Sequence, residues 1–147
     1  MRNRCYPVLP SYTSRHELGV LDGDTVDLQV NCGLGIYTER RIRLVGVNCP
    51  ELNRRSTADA GSRFKKLTFA FINYAVEDEN QSLVLDTGSR ERNDSFGRIL
   101  GDVFRVFADA DGYELSRESL SEFLLKSGAP VYIGYPASSA IMQKYGR

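Results

Sequence analysis

From Thr25 to Val30 and again between Tyr37 and Val47 apolar side chains alternate with polar ones, and between residues 57 and 77 they recur at every third or fourth position. Val26, Leu28 and Val30 alternate with Asp27 and Gln29, and Ile42 and Leu44 alternate with Arg41 and Arg43, which is the pattern of half-buried strands. Phe64, Leu67, Phe71 and Tyr74 then fall on one face of a helix. Asp22-Gly23 and Asn31 to Gly35 are the turns before and between the strands, and Pro50 ends the second one.

After the helix, Ser82 to Asp86 reads as a short strand, Thr87 to Ser95 as a polar loop and Arg98 to Phe107 as another strand. Asp109 to Gly112 is a turn, and a second helix is expected from about Leu115 to Lys126, with Ser116 as its N-cap and Gly128 as its stop. Strands, a helix, two strands and a helix do not make a doubly wound parallel sheet. The order fits an α+β, mostly β fold: a five-stranded OB-fold barrel with a helix inserted after the third strand and a second helix near the C-terminus. Residues 1–15, with Pro7 and Pro10 and no periodicity, are expected to form an N-terminal arm, residues 16–130 the domain, and residues 131–147 a short C-terminal tail.

A chain of 147 residues with 41% hydrophobic content supports one core of this kind. Nineteen cations balance nineteen acidic groups, so any attraction to nucleic acid must be local; fifteen of those cations are Arg, the side chain with a planar, two-pronged grip on phosphate. Cys5, Cys32 and Cys49 contain no Cys-x-x-Cys pair and are expected as free thiols. The N-terminal stretch carries Arg2 and Arg4 without an apolar signal-peptide core, and no run reaches membrane-spanning length. The expectation is a cytoplasmic monomer with no membrane partner, export or a phage origin being left open.

Three short runs carry chemistry. Asp24 follows a glycine bend and opens a strand, so its carboxylate projects from a rigid edge. Asn48, Cys49 and Glu51 lie at the exit of the strand that holds Arg43, where Pro50 lets a side-chain oxygen, a main-chain carbonyl and a carboxylate converge. Phe96-Gly97-Arg98 sets a guanidinium at the start of a further strand. Each run alone also reads as an ordinary polar turn; together they hold the parts of a metal-assisted phosphodiester-cleaving site.

Asp22-Gly-Asp-Thr25, Arg41-Ile-Arg-Leu-Val-Gly-Val-Asn-Cys-Pro-Glu51 and Phe96-Gly-Arg98 resemble, in order and spacing, the motifs of thermonuclease, or staphylococcal-nuclease-like (SNase-like), domains, over about Glu17 to Gly128. The resemblance implies a Ca2+-dependent endonuclease acting on DNA and RNA, single strands preferred, with little base preference and 3′-phosphate products. It implies that Asp24, Asn48 and the Cys49 carbonyl are metal ligands, that Glu51 activates the water, and that Arg43 and Arg98 hold the phosphate. Tyr132 and Tyr135 are expected either to stack on a nucleobase or to serve as wall residues. The alternative implied by the same resemblance is a catalytically weak or inactive OB-fold module that binds nucleic acid. Asn48 stands where the family has Asp, Phe96 stands where it has Tyr, and the family's third helix is expected to be truncated or missing.

Asp109-x-Asp111-Gly112 looks like part of a calcium loop but lacks its first ligand, and is expected to be a hairpin-type turn. His16 is the sole histidine, which leaves multi-histidine zinc sites and a Ser-His-Asp triad without parts.

Overall fold

The computed structural model describes residues 3–146; Arg2 and the outermost ends of the expected arm and tail lie outside them. In chain order the elements are β1 (Cys5–Pro10), a single 3-10 turn (Glu17–Gly19), β2 (Val20–Asp22), β3 (Thr25–Asn31), β4 (Tyr37–Leu44), α1 (Ala58–Glu77), β5 (Gln81–Asp86), β6 (Ile99–Ala108), β7 (Glu114–Ser119), α2 (Leu120–Lys126) and α3 (Ser139–Tyr145).

Five strands close into a ring: β1 pairs with β3 and β5, β3 with β4, β4 with β6 and β6 with β5, while β2 and β7 extend β3 and β6. All pairings are antiparallel except the short β4–β6 contact. The ring is less regular than a clean barrel, but it is OB-like and mostly β, with α1 inserted after the third ring strand, as expected. Inside it lie Val26, Leu28, Ile42, Leu44, Leu85 and Val103, all fully buried. Helix α1 closes one end with Phe64, Phe71, Ile72 and Ala75, and the rings of Phe71 and Phe123 lie 5.5 Å apart where α1 meets α2. No helix among the described residues is long and apolar enough to cross a membrane.

The structure corrects three expectations and narrows a fourth. Residues 5–10 are not a loose arm: β1 is extended, hydrogen-bonded on both sides, and buries Val8. Residues 114–119 are strand β7, not the first turns of a helix, because pairing of Phe104–Phe107 with Ser116–Ser119 satisfies their backbone instead. The helix therefore starts at Leu120 and is capped by Ser119, whose Oγ accepts from the Glu122 N–H at 3.0 Å, and the Asp109–Gly112 turn leads into β7. Tyr74 is 62% exposed, since the buried stripe of α1 drifts to Ile72 and Ala75. Of the two expectations for the third helix, truncated or missing, the second is excluded: a helix seven residues long is present, capped by Ser138 and anchored by buried Ile141.

Two buried carboxylates show how polar groups are accommodated. Asp27 is covered by the segment before β2: Ser14 donates to it at 3.0 Å and Arg41, its cross-strand partner, pairs with it at 2.8 Å. Asp102 accepts from the Val103 and Ser121 N–H groups and from Ser119 Oγ, tying β6 to the start of α2; burial nonetheless pushes its carboxyl up to about 6.

Candidate active site

Strand register brings the distant motifs together. Thr25 pairs with Arg43 across β3–β4, and Ile42 pairs with Ile99 across β4–β6, so Asp24, Arg43 and Arg98 emerge at the same end of the ring. The bend before β3 is fixed from below: Thr68 of α1 donates to the Gly23 carbonyl at 2.6 Å. Gly23 is required there, since a Cβ would lie 2.7 Å from Cys49 Sγ and 2.8 Å from Phe64 Cβ.

Asp24 is buried; one carboxylate oxygen accepts from the Cys49 N–H at 2.8 Å and the other from Thr25 Oγ1 at 3.1 Å. Arg43 is buried too. Its Nη1 donates to the Leu44 and Val47 carbonyls at 2.6 and 2.8 Å, and its Nη2 donates to Asn48 Oδ1 at 3.2 Å and lies 3.6 Å from Asp24 Oδ2. These bonds hold the chain as it leaves β4 and set Asn48 and Cys49 beside the Arg43–Asp24 pair, with Glu51 lining the same cavity. Glu51 is more exposed: its carboxylate pairs with Arg54 at 2.7 Å, and its carbonyl accepts from Thr57 Oγ1, which anchors it to the start of α1.

Arg98 comes from the loop before β6. Asp94 accepts from Arg98 Nε at 2.5 Å and from the Phe96 and Arg98 N–H groups at 2.9 Å, leaving the terminal amines of Arg98 without a partner among the described residues. The fourth wall is C-terminal. Tyr132 N–H donates to the Gly46 carbonyl and Asn48 N–H to the Pro130 carbonyl, so residues 130–135 run antiparallel along 46–48. Tyr132 thereby sits 5.6 Å from the Arg43 guanidinium and edge-on to Tyr135 at 5.2 Å.

Asp24, Arg43, Asn48, Cys49, Glu51, Arg98, Tyr132 and Tyr135 all line one open cavity of about 360 Å³. Asp22 and Phe96 line it as well. Asp22 is a carboxylate that the sequence placed only in the turn; its signal was its position as the first Asp of the Asp-Gly-Asp run that ends in Asp24. Burial, and next the charge of Asp24, raise its carboxyl above the usual range. Burial and then Asp24 also push the Cys49 thiol far up, so it is an inert filler and not a nucleophile.

Among the described residues no three His, Cys, Asp or Glu side chains cluster as a metal-binding group. The oxygen-bearing residues that line the cavity side by side are Asp22, Asp24, Asn48 and Cys49, the last two following each other in the chain and Cys49 bonded through its N–H to Asp24. Oxygen-only ligation with a low charge count fits a hard divalent cation held weakly, with water completing its shell.

A comparison with curated proteins gives no significant match. The family model described as "Staphylococcal nuclease homologue" matches residues 41–146, which include Arg43, Asn48, Glu51, Arg98 and both tyrosines. That span is most of the chain and the fold agrees with it, so the chain belongs to the staphylococcal nuclease homologue family.

Proposed function

We propose that the protein is a Ca2+-dependent endonuclease that hydrolyses DNA and RNA, preferring single strands and leaving 3′-phosphate ends. The observation that supports this reading is the single cavity shared by two guanidinium groups, a solvent-accessible carboxylate and a set of oxygen donors. Asp24, Asn48 and the Cys49 carbonyl would hold the calcium ion, which when bound supplies positive charge to a phosphoryl oxygen.

The chain's own residues do the rest. The open terminal amines of Arg98 take a phosphate oxygen, while Arg43, fixed by the Leu44 and Val47 carbonyls, adds a second positive charge from the opposite wall. Glu51 accepts a proton from the attacking water. Its pair with Arg54 is exposed on both sides, so releasing the carboxylate costs no more than about 1 kcal/mol. Water oxygen bonds to phosphorus, the bond to the 5′ oxygen breaks, and that oxygen leaves with a proton from solvent. The two guanidinium groups stabilise the charge that builds on the five-coordinate phosphorus. Tyr132 and Tyr135 receive the neighbouring base. We place this monomer in the cytoplasm, where three unpaired thiols persist.

The rival reading, a weak or inactive binding module, draws on Asn48, which keeps an oxygen but removes a negative charge from the ligand set. Incubating the protein with single-stranded DNA, in calcium and then in chelator, separates the two. Nuclease action predicts cleavage in calcium alone and its loss in Glu51→Gln; binding without metal-dependent cleavage defeats the proposal. Asn48→Asp is expected to lower the calcium needed for half-maximal cleavage by about tenfold, and no gain would refute the role given to Asn48.

A further inference from the structure

Beside the catalytic cavity, α1 presents Ser62, Lys65, Lys66, Phe69 and Asn73 in a row, at the three- and four-residue spacing that stacks side chains along one face. Two open cavities lie along this row. One, of about 340 Å³, is lined by Lys65, Lys66, Phe69 and Glu17; the other, of about 430 Å³, lies between the helix and residues 11–18 and includes Tyr12 and Arg15. They share Phe69 and Glu17 and so form one groove.

The near end of this groove approaches the catalytic cavity: Asp22 and Asp24 line that cavity, and Gly23 between them packs against Phe64, the helix residue before Lys65, so closely that a Cβ on Gly23 would lie 2.8 Å from Phe64 Cβ. From Ser62 to Asn73 the helix rises about 16 Å, room for a few nucleotides. The groove lining holds Lys65, Lys66 and Arg15 against one carboxylate, Glu17, with Asp22 beyond its near end, in a chain whose net charge is zero, so the basic character is local.

Resting on the nuclease reading above, we propose that this groove carries the substrate onward: a single strand whose scissile phosphate sits in the catalytic cavity runs over Lys65 and Lys66 and lays a base against Phe69. Cations alternating with an aromatic face suit a single strand, because the bases of a duplex are stacked inside and cannot reach the ring. The groove then makes long strands bind better than short ones at one catalytic site.

The test uses fluorescence anisotropy in chelator, so that nothing is cut, with a labelled 20-nucleotide single strand and a labelled trinucleotide that fills the catalytic cavity alone. In Lys65→Gln/Lys66→Gln the 20-mer is expected to bind about tenfold more weakly, and the slope of log affinity against log salt to fall by about 1.4, while trinucleotide affinity changes less than twofold. The chain has no tryptophan, so Phe69→Trp adds a unique reporter whose emission should be quenched by the 20-mer and not by the trinucleotide. If wild type binds the 20-mer and the double variant binds it equally with the same salt slope, the groove proposal falls and the nuclease reading stands. If wild type binds neither probe, the groove proposal falls, and cleavage in calcium decides the nuclease reading separately. Displacement of the 20-mer from the wild type by polyglutamate, with no loss in the double variant, would assign the groove to an acidic peptide and overturn the proposal.

Discussion

Arg43 and Arg98 face the same cavity from walls built in different ways. The Arg43 wall is part of the ring itself: a buried guanidinium bonded to two main-chain carbonyls and the Asn48 amide, beside a buried carboxylate. The Arg98 wall is a loop, held by the Asp94 carboxylate and flanked by Phe96, which is 82% exposed. The first arrangement comes with folding and can be lost only with it. The second is local, so its chemistry can be altered while the fold stands.

Arg43→Ala is the most damaging way to probe this difference. It strands the Leu44 and Val47 carbonyls and leaves Asp24 uncompensated, so stability should fall by about 3–5 kcal/mol along with all cleavage. Thermal unfolding reads this directly, and a melting temperature close to wild type would erase the distinction between the walls. Arg98→Ala should lower kcat by about 10²–10³-fold while costing less stability than Arg43→Ala, because the buried Asp94 carboxylate keeps the Phe96 and Arg98 N–H groups as partners; steady-state kinetics and a melt on the same sample check both halves.

The Asp94 anchor gives the loop wall its own pH dependence. Burial alone would raise the Asp94 carboxyl, but the Arg98 amide, its guanidinium and the Phe96 N–H outweigh it and hold the group below its ordinary 3.8. The anchor's contribution is therefore complete above that value and lost as pH falls through the depressed one. Asp94→Asn should reproduce the acid-released loop at neutral pH, with about tenfold slower cleavage and faster proteolysis within residues 89–98. Unchanged kinetics would show that Arg98 orients itself. The smallest effect is expected from Arg54→Ala: the melt is unchanged and cleavage is unchanged or up to about twofold faster, because an exposed pair contributes about 0–1 kcal/mol. A large loss would make Arg54 a phosphate contact and not merely a partner of Glu51.

The parts of the chain that were readable in sequence are those where local pattern and tertiary burial agree. In β3 and β4 the period-two pattern coincides with the ring interior, and α1 is long enough for its apolar stripe to stand out. The site motifs were readable because each sits on a strand end whose register is set by that same pattern. Where neighbours decide, the pattern misled. Leu120, Phe123 and Leu124 form a helical face and the expected helix extended it back to Leu115, yet pairing with β6 draws residues 114–119 into a strand. Tyr6-Pro7-Val8 carries almost no alternation, and it is extended because β3 and β5 both need a partner there. Asp102 left a signal that was not taken up, a charge inside the apolar run Ile99–Val103; only the folded chain supplies the Ser119 and Ser121 groups that satisfy it.

Gly46 lets the C-terminal segment lie flat against the exit of β4, since its φ is +78° and a Cβ would come 2.5 Å from Ala137 Cβ. The aromatic side of the cavity thus hangs on one backbone position: a side chain at residue 46 would lift residues 130–137 off the β4 exit and draw Tyr132 and Tyr135 away from Arg43, while Asp94 would still hold Arg98 in place.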